Sequence, residues 1–281
     1  MATSENVAGA ERLLREVGLA FVRVTPMPSG REHDLFRVAF ADGTLRILKV
    51  PRTDRMADPY WPGRGAREAF RAEREAITRV EGIEVPAPYH LLPTDPPAAL
   101  MGIVSGVTPE DVYRRGLMDR SLLEAVALEM GRLLATIHAI KMPVGEASAI
   151  PIFADVEPEK ARLLHMDFHL GNVLGSMRTG GRWIPGGVID WTWAKWGPRE
   201  ADFTEMGVSV CLSNPWAMEP MLVGYREVSG QTLEPARIFP WVRDELERRL
   251  RDEPPSDPDV KALWVQRIDE WSAGRFLTRA T

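Results

Sequence analysis

A short segment of the chain carries a carboxylate and a carboxamide, and a second carboxylate follows eighteen residues later. Asp167 is followed after five positions by Asn172, and Asp190 then ends a short apolar run. Phosphoryl transfer from a nucleotide uses such a set: one carboxylate orients and deprotonates a hydroxyl, while an amide and a second carboxylate hold Mg²⁺. The residue types and their spacing therefore indicate phosphoryl-transfer chemistry.

Lys49 lies upstream, in the strand-like run 47–50. A lysine flanked by apolar strand residues must either reach water with its tip or face a polar cleft. In kinases a strand lysine binds the α- and β-phosphates and pairs with a glutamate on a helix. An exposed lysine on an edge strand is the alternative. The place of Lys49 in the third predicted strand, just before a helix, favours the phosphate-binding role.

Bulk composition limits the classes of protein that need to be considered. The 281 residues fit two lobes better than one core. A net charge of −5 gives no broad attraction to nucleic acid or to an anionic membrane. The single cysteine, Cys211, excludes an internal disulfide framework, and its apolar neighbours predict a buried, inert thiol.

Targeting signals are not evident along the chain. The first twenty residues are too charged for a signal peptide, and the most apolar stretch, 122–140, is broken by charged residues. That stretch therefore predicts a core helix. We expect no membrane segment and a cytoplasmic protein.

Residues 1–104 read as a small lobe that contains the connector and would bind nucleotide. A turn at Asp42-Gly43 predicts a hairpin between two of its strands. Helices are predicted over 8–18 and 65–81, and strands over 21–24, 35–40, 45–50, 89–93 and 98–104.

Residues 105–281 read as a larger, helical lobe that would carry catalysis and the acceptor. One helix is predicted to begin at Thr108-Pro109. A second helix is predicted to begin with Ser121 as its cap and to run to about Ile140. Residues 141–160 are irregular, 163–190 return to short strands, and 199–281 are mostly helical. The fold class is α+β, a bilobal protein-kinase-like fold with an antiparallel β-rich N-lobe and an α-rich C-lobe. The nucleotide would sit in the cleft under the sheet.

Two motifs stand out, His165-x-Asp167-x-His169-x-Gly171-Asn172-Val173-Leu174 and Ile189-Asp190-Trp191. With them, the sequence resembles the aminoglycoside phosphotransferase family, part of a superfamily that includes choline, homoserine and fructosamine kinases. The similarity also covers 104–106, 134–138 and 197–202 and extends over most of the chain. The two motifs are specific to the superfamily but say little about the substrate.

The resemblance implies a role for each member of the central set. Asp167 would be the catalytic aspartate and accept a hydrogen bond from the substrate hydroxyl. Asn172 and Asp190 would coordinate Mg²⁺ that bridges the nucleotide phosphates, since Mg²⁺ needs few protein oxygens beside phosphate and water.

Neighbouring polar residues are expected to support the catalytic loop. His165 would hold the loop and the metal-binding segment, His169 would have a supporting role, and Asp202 would tie loops together. A zinc site at His165, Asp167 and His169 is an alternative, but no fourth ligand lies close by and it leaves Asn172 unexplained.

The helix partner of Lys49 has three candidates in the run 65–81. Glu75 matches the family's usual frame best and is the predicted partner, with Glu68 as the second choice. The remaining glutamate, Glu73, is expected to be solvated and paired with a nearby arginine.

Nucleotide contacts are expected from two further segments. The loop 26–33 should cover the phosphates, with Ser29 and Gly30 as its best candidates, although its single glycine makes it poorer than a protein-kinase loop. The connector 100–103 would hydrogen bond to the base through its backbone, with Met101 and Ile103 against the ring.

The favoured function is ATP- or GTP-dependent, Mg²⁺-dependent phosphorylation of a small-molecule hydroxyl on an aminoglycoside-like molecule, an amino alcohol or a sugar. A silent, kinase-like protein that binds nucleotide or a partner is one alternative. A protein kinase is another, opposed by Trp191 and by the lack of an Ala-Pro-Glu-like segment. The chain leaves the oligomeric state open.

Overall fold

The computed structural model separates into two compact units. Unit 1 comprises Met1–Val104, Ala147–Ile150 and Trp191–Trp193, and unit 2 comprises Ser105–Glu146, Pro151–Asp190 and Ala194–Thr281. The structure describes residues 4–28, 32–52, 65–143, 145, 147–179 and 182–275.

Among its described residues, unit 1 has a five-stranded antiparallel sheet and two helices, with the strand order β1-β2-β3-β5-β4. The five predicted strands are confirmed, although the last is shorter than expected. The left-handed φ of Gly43, 83°, closes the hairpin between β2 and β3. The elements are α1 Ser4–Glu16, β1 Arg23–Pro26, β2 His33–Ala39, β3 Leu45–Pro51, α2 Ala66–Arg79, β4 Tyr89–Leu92 and β5 Ala98–Met101.

The core of unit 1 lies between the sheet and α1. In β2 the side chains alternate, because Phe36 and Val38 are buried while Arg37 between them is exposed. They pack in one cluster with Leu14 of α1 and Leu48 of β3. The sheet is therefore held from one face by an amphipathic helix.

Unit 2 is mainly helical and includes two antiparallel strand pairs, β6-β9 and β7-β8. A π-helical turn, Gly207–Cys211, follows α5. The elements are α3 Pro109–Arg114, α4 Arg120–Ile137, β6 Arg162–Leu164, β7 Val173–Met177, β8 Trp183–Val188, β9 Lys195–Gly197, α5 Thr204–Met206, α6 Met218–Ser229, α7 Pro235–Asp252 and α8 Pro258–Ser272.

The starts of α3 and α4 follow the usual capping chemistry. The predicted start of α3 is confirmed, and Thr108 caps the helix because its hydroxyl accepts the N–H of Asp111 at 3.1 Å. The predicted cap of α4 was wrong. Asp119 rather than Ser121 accepts the N–H of Leu122, at 2.8 Å, because the helix begins earlier than expected.

Two glycines let α4 and α6 approach closely. A Cβ atom at Gly131 of α4 would collide with the carbonyl oxygen of Met221, and one at Gly224 of α6 would collide with the carbonyl oxygen of Leu128. The helices therefore touch backbone to backbone at this crossing. Tyr225 of α6 follows Gly224 directly, so the crossing fixes its distance from α4.

Cys211 is fully buried, and burial raises the pKa of its thiol to about 12. The expectation of a buried thiol is therefore confirmed, and the raised pKa disfavours the thiolate, which is the reactive form of cysteine. Across the described ranges, we find no helix with the length and apolar character needed to cross a membrane.

Candidate active site

Lys49 is buried in the middle of the unit 1 sheet. Its strand, β3, pairs with β2 on one side and β5 on the other, so the edge-strand alternative is wrong. The side chain is only 2% exposed, and its Nζ donates to Glu73 Oε1 at 2.9 Å and to Oε2 at 3.1 Å. A buried ammonium is tolerated only with such partners.

The partner of Lys49 is thus Glu73, and the prediction of Glu75 was wrong. Glu73 has no exposed surface, and it lies on the face of α2 that also buries Phe70 and Ile77. Two helical positions correspond to a rotation of about 200°, so Glu75 must point to a different side of α2. The second choice, Glu68, is exposed.

Three further groups of unit 1 surround this ion pair. Tyr89 donates its hydroxyl to Glu73 Oε2 at 2.8 Å, and the backbone N–H of Trp191 donates to Glu73 Oε1 at 3.2 Å. Thr192 Oγ1 accepts from Lys49 Nζ at 2.6 Å. Sequence reasoning gave none of these residues a place at the ion pair, although Trp191 and Thr192 directly follow the predicted metal ligand.

Glu75 has a different function in the fold: it holds the segment Ala147–Ile150. Its Oε2 accepts the N–H of Ala149 at 2.6 Å, and its Oε1 accepts the hydroxyl of Ser148 at 2.8 Å and Arg79 at 2.8 Å. Burial raises the pKa of Glu75, but these three donors together outweigh it, so the pKa lies below its ordinary value.

Glu75→Gln is expected to destabilise the protein by about 1 kcal/mol near pH 7, because an amide replaces a carboxylate that accepts several hydrogen bonds. The carboxylate contributes stability above its ordinary pKa of 4.5 and loses it as the pH falls through the lower, folded pKa. Urea unfolding at several pH values should therefore show the difference shrinking below pH 4.5.

Glu81→Gln, at an exposed position just after α2, is the control for the removal of one negative charge. A difference between Glu75→Gln and the unmodified protein that stayed constant down to pH 3 would contradict the assignment.

The other predicted nucleotide contacts remain expectations. Ser29 and Gly30 lie outside the described residues. Met101 ends β5 half-buried, and Ile103 is 39% exposed. The N–H of Gly102 between them donates to two proline carbonyls, so it is already used within unit 1.

In unit 2, the side chain of Asn172 is oriented by Asp167. Its Nδ2 donates to the carbonyl oxygen of Asp167 at 2.9 Å and to Asp167 Oδ2 at 2.7 Å. His169 faces the other carboxylate oxygen, with Nε2 3.6 Å from Oδ1, while its Nδ1 accepts the N–H of Gly171 at 3.0 Å. Burial lowers the pKa of His169, so its contact with Asp167 is that of a neutral ring.

Asp190 and Asn172 lie at the same end of the hairpin formed by β7 and β8. Asn172 directly precedes β7, and the N–H of Ile189, just after β8, donates to its carbonyl oxygen at 3.0 Å. His165 Nε2 binds the carbonyl oxygen of Ile189 at 2.9 Å, which agrees with its expected supporting role. Asp190 itself has a left-handed φ of 62°, which is uncommon outside glycine.

Asp202 fixes the backbone just before Asp167. Its carboxylate accepts the N–H of His165 at 2.8 Å and that of Met166. Met166 has a left-handed φ of 67°, so these bonds hold an unfavourable backbone conformation in place. The expectation that Asp202 ties loops together is confirmed.

A buried chain of hydrogen bonds extends from Asp202 to α6. His138, at the end of α4, has Nε2 3.0 Å from Asp202 Oδ2 and Nδ1 3.0 Å from the hydroxyl oxygen of Tyr225. Burial raises the pKa of Tyr225 to about 12, so this hydroxyl keeps its proton. Sequence reasoning found His138 only as part of a motif and missed Tyr225.

The donor set of Asn172 and Asp190 fits Mg²⁺ better than a softer metal. Both N–H groups of the Asn172 amide point at Asp167, so its oxygen is the atom that can be offered to a cation. An amide oxygen and a carboxylate are the hard ligands that Mg²⁺ takes together with phosphate. Across the described residues, no group of three His, Cys, Asp or Glu side chains could hold a metal ion.

Comparison with known proteins agrees with this geometry. Residues 146–221 match the phosphotransferase enzyme family, which supports a phosphotransferase. No curated protein sequence matches the chain.

Many solved structures share the fold, including the following three. The GDP complex of aminoglycoside 2'-phosphotransferase-IIIa aligns with a TM-score of 0.64 and 14% identity over 96% of this chain and 100% of that one. The macrolide 2'-phosphotransferase of Brachybacterium faecium aligns with a TM-score of 0.57 and 15% identity, over 92% of this chain and 96% of that one. An amicoumacin kinase in complex with AMP-PNP and Ca²⁺ aligns with a TM-score of 0.55 and 15% identity, over 99% of this chain and 98% of that one.

Identities this low show the fold alone, whereas the family match rests on the segment that carries the predicted catalytic motifs. That segment includes Asp167, Asn172 and Asp190. The recognition made from the sequence is confirmed by both findings together: residues 146–221 match the phosphotransferase enzyme family, and the chain shares its fold with solved aminoglycoside and macrolide 2'-phosphotransferases.

Proposed function

We propose that the protein is a Mg²⁺-dependent phosphotransferase that moves the γ-phosphate of ATP or GTP to a hydroxyl of a small molecule. The observation that carries this proposal is the orientation of Asn172 by Asp167. The side-chain amide of Asn172 donates to the backbone carbonyl of Asp167 at 2.9 Å and to its carboxylate at 2.7 Å. One short loop therefore positions both the proposed catalytic carboxylate, Asp167, and a proposed metal ligand, Asn172.

In the proposed reaction, Asp167 accepts a hydrogen bond from the acceptor hydroxyl and orients its oxygen toward the γ-phosphorus. A new bond forms between that oxygen and phosphorus, and the bond from phosphorus to the bridging β–γ oxygen breaks. The nucleoside diphosphate leaves with the electrons of the broken bond, and the hydroxyl proton passes to the Asp167 carboxylate. The neutral ring of His169 faces this carboxylate and helps to orient it.

Lys49 would bind the nucleotide phosphates, with Glu73 fixing its ammonium. Asn172 and Asp190 would hold Mg²⁺, which neutralises charge on the phosphates when bound. Residues 1–104 would supply the nucleotide contacts. These include Ser29, Gly30, Met101 at the end of β5 and Ile103 two residues after it. Residues 105–281 would supply Asp167 and the acceptor pocket.

The acceptor is proposed to be an aminoglycoside-like molecule, an amino alcohol or a sugar. Related folds carry names that refer to aminoglycoside, macrolide and amicoumacin phosphorylation, which supports a small organic acceptor. The segment between α4 and β6 is only 24 residues long, from His138 to Ala161, and therefore has little room for an acceptor-binding insertion. We therefore propose the class of acceptor but no individual compound.

Nucleotide consumption across a panel of acceptors tests this proposal. ATP and GTP, each with and without Mg²⁺, would be incubated with aminoglycosides, macrolides, amino alcohols and sugars, and the diphosphate and the phosphorylated acceptor quantified. We expect Mg²⁺-dependent transfer to one of these classes. Melting curves with each nucleotide should show stabilisation that is larger with Mg²⁺ than without it.

The silent-binder alternative has its own outcome in the same experiment. Stabilisation by nucleotide without transfer to any acceptor would favour a protein that binds but does not react. No stabilisation by ATP or GTP at millimolar concentration would contradict the proposed function altogether.

A further inference from the structure

The hydroxyl of Thr192 lies closer to the ammonium of Lys49 than either carboxylate oxygen of Glu73 does. The distance between Lys49 Nζ and Thr192 Oγ1 is 2.6 Å, shorter than either distance to Glu73, and Thr192 is only 2% exposed. Thr192 lies on the short 3₁₀ turn Trp191–Trp193. A buried hydroxyl is thus directed at the predicted phosphate-binding group from a second element.

A hydroxyl is needed here for a physical reason. The ammonium of Lys49 has three N–H donors and accepts nothing, and both carboxylate oxygens of Glu73 accept from it. Thr192 Oγ1 also lies 3.4 Å from Glu73 Oε2, so it contacts both members of the ion pair. Valine has nearly the same shape as threonine but cannot accept a hydrogen bond from the buried ammonium, and a hydrogen bond to a charged group is among the stronger ones.

The turn is fastened to the ion pair at two successive residues. The N–H of Trp191 donates to Glu73 Oε1 at 3.2 Å, and Thr192 binds Lys49. Asp190, the residue before Trp191, has the left-handed φ of 62°. The chain that leaves this strained residue is therefore anchored at its first and second positions, which limits the conformations open to Asp190.

We propose that Thr192 is a positioning residue that couples the phosphate-binding Lys49 to the metal-binding Asp190. The coupling runs through the hydroxyl and two peptide units, and it makes binding of Mg²⁺ depend on the placement of the ammonium. This inference rests on the proposed function, because it assigns Lys49 to phosphate and Asp190 to the metal.

The test compares Thr192→Val, which removes the hydroxyl but keeps the shape, with Thr192→Ser, which keeps the hydroxyl. Turnover is measured against Mg²⁺ concentration at saturating nucleotide. Thr192→Val is expected to need about tenfold more Mg²⁺ for half-maximal rate, since losing a hydrogen bond to a charged group costs about that factor. Thr192→Ser should stay within about twofold of the unmodified protein, because its hydroxyl can still accept from Lys49.

A second readout does not depend on activity. The gain in melting temperature from nucleotide alone is compared with the gain from nucleotide plus Mg²⁺. In Thr192→Val the additional gain from Mg²⁺ should shrink, whereas in Thr192→Ser it should be retained. If Thr192→Val does not fold, Thr192→Ala replaces it and is compared with Thr192→Ser in the same way.

The outcomes separate the inference from the proposed function. If the unmodified protein shows no Mg²⁺-dependent binding of nucleotide, the proposed function fails and the inference fails with it. If the unmodified protein binds and reacts, but Thr192→Val has an unchanged Mg²⁺ requirement, the inference alone is overturned. A lower melting temperature with an unchanged Mg²⁺ requirement would mean a purely structural hydroxyl, which also overturns it.

Discussion

Asp167→Asn is expected to lower kcat by about a thousandfold, within the range found when a positioned acid or base is removed. An amide oxygen can still accept the 2.7 Å bond from Asn172, so the loop should keep its structure. What is lost is the negative charge that orients the acceptor hydroxyl and takes its proton. Steady-state kinetics with a confirmed acceptor would measure the effect, and nucleotide-induced stabilisation should remain close to that of the unmodified protein.

Asp155→Asn provides a control for this substitution, because Asp155 is an exposed aspartate in the same unit. It should leave kcat unchanged. Turnover by Asp167→Asn within about tenfold of the unmodified protein would contradict the role of Asp167, since removal of general-base catalysis costs more than that.

Glu73→Gln is expected to be strongly destabilising, by about 3 kcal/mol or more, because it leaves the charge of buried Lys49 without its counter-ion. Tyr89 would also lose a charged acceptor at 2.8 Å. Urea unfolding in the absence of nucleotide would give the change in free energy, and nucleotide binding should weaken together with stability because the ammonium is no longer held.

Glu68→Gln on the exposed side of α2 is the matched control and should lie within about 0.5 kcal/mol of the unmodified protein. The double variant Lys49→Met/Glu73→Gln should recover part of the lost stability, since it removes both charges. Equal effects of Glu73→Gln and Glu68→Gln would mean that the Lys49–Glu73 pair contributes nothing to the fold.

Sequence patterns predicted the elements of unit 1 well because strand alternation and turn chemistry act locally. The place of Lys49 in the third predicted strand, just before a helix, favoured its phosphate-binding role, whereas its position inside the sheet came from the structure. Glu73 could not be chosen by motif, but the helical period contained the signal. Glu73 lies three or four residues from Phe70, Ala76 and Ile77, all buried, so it shares their face. The family pattern pointed to Glu75 because it was matched without regard to which face of α2 each glutamate occupies.

Contacts between residues far apart in sequence were beyond prediction. Tyr89 and Thr192 reach the ion pair from elements 16 and 119 positions away from Glu73. The chain from Tyr225 through His138 to Asp202 likewise depends on how α4 and α6 cross. Such partners are set by packing, and no local pattern distinguishes them from ordinary polar residues.

The close crossing of α4 and α6 has a consequence for protein engineering. Exchanging a glycine inside a helix for alanine is a standard route to greater heat resistance, because it favours the helical state by up to about 1 kcal/mol. At Gly131 or Gly224 the added methyl would instead push on the carbonyl of the facing helix. The separation of the helices would grow, and Tyr225 would draw away from His138. Substitutions chosen by helix propensity alone would thus weaken the hydrogen bond between Tyr225 and His138, the residue that contacts Asp202.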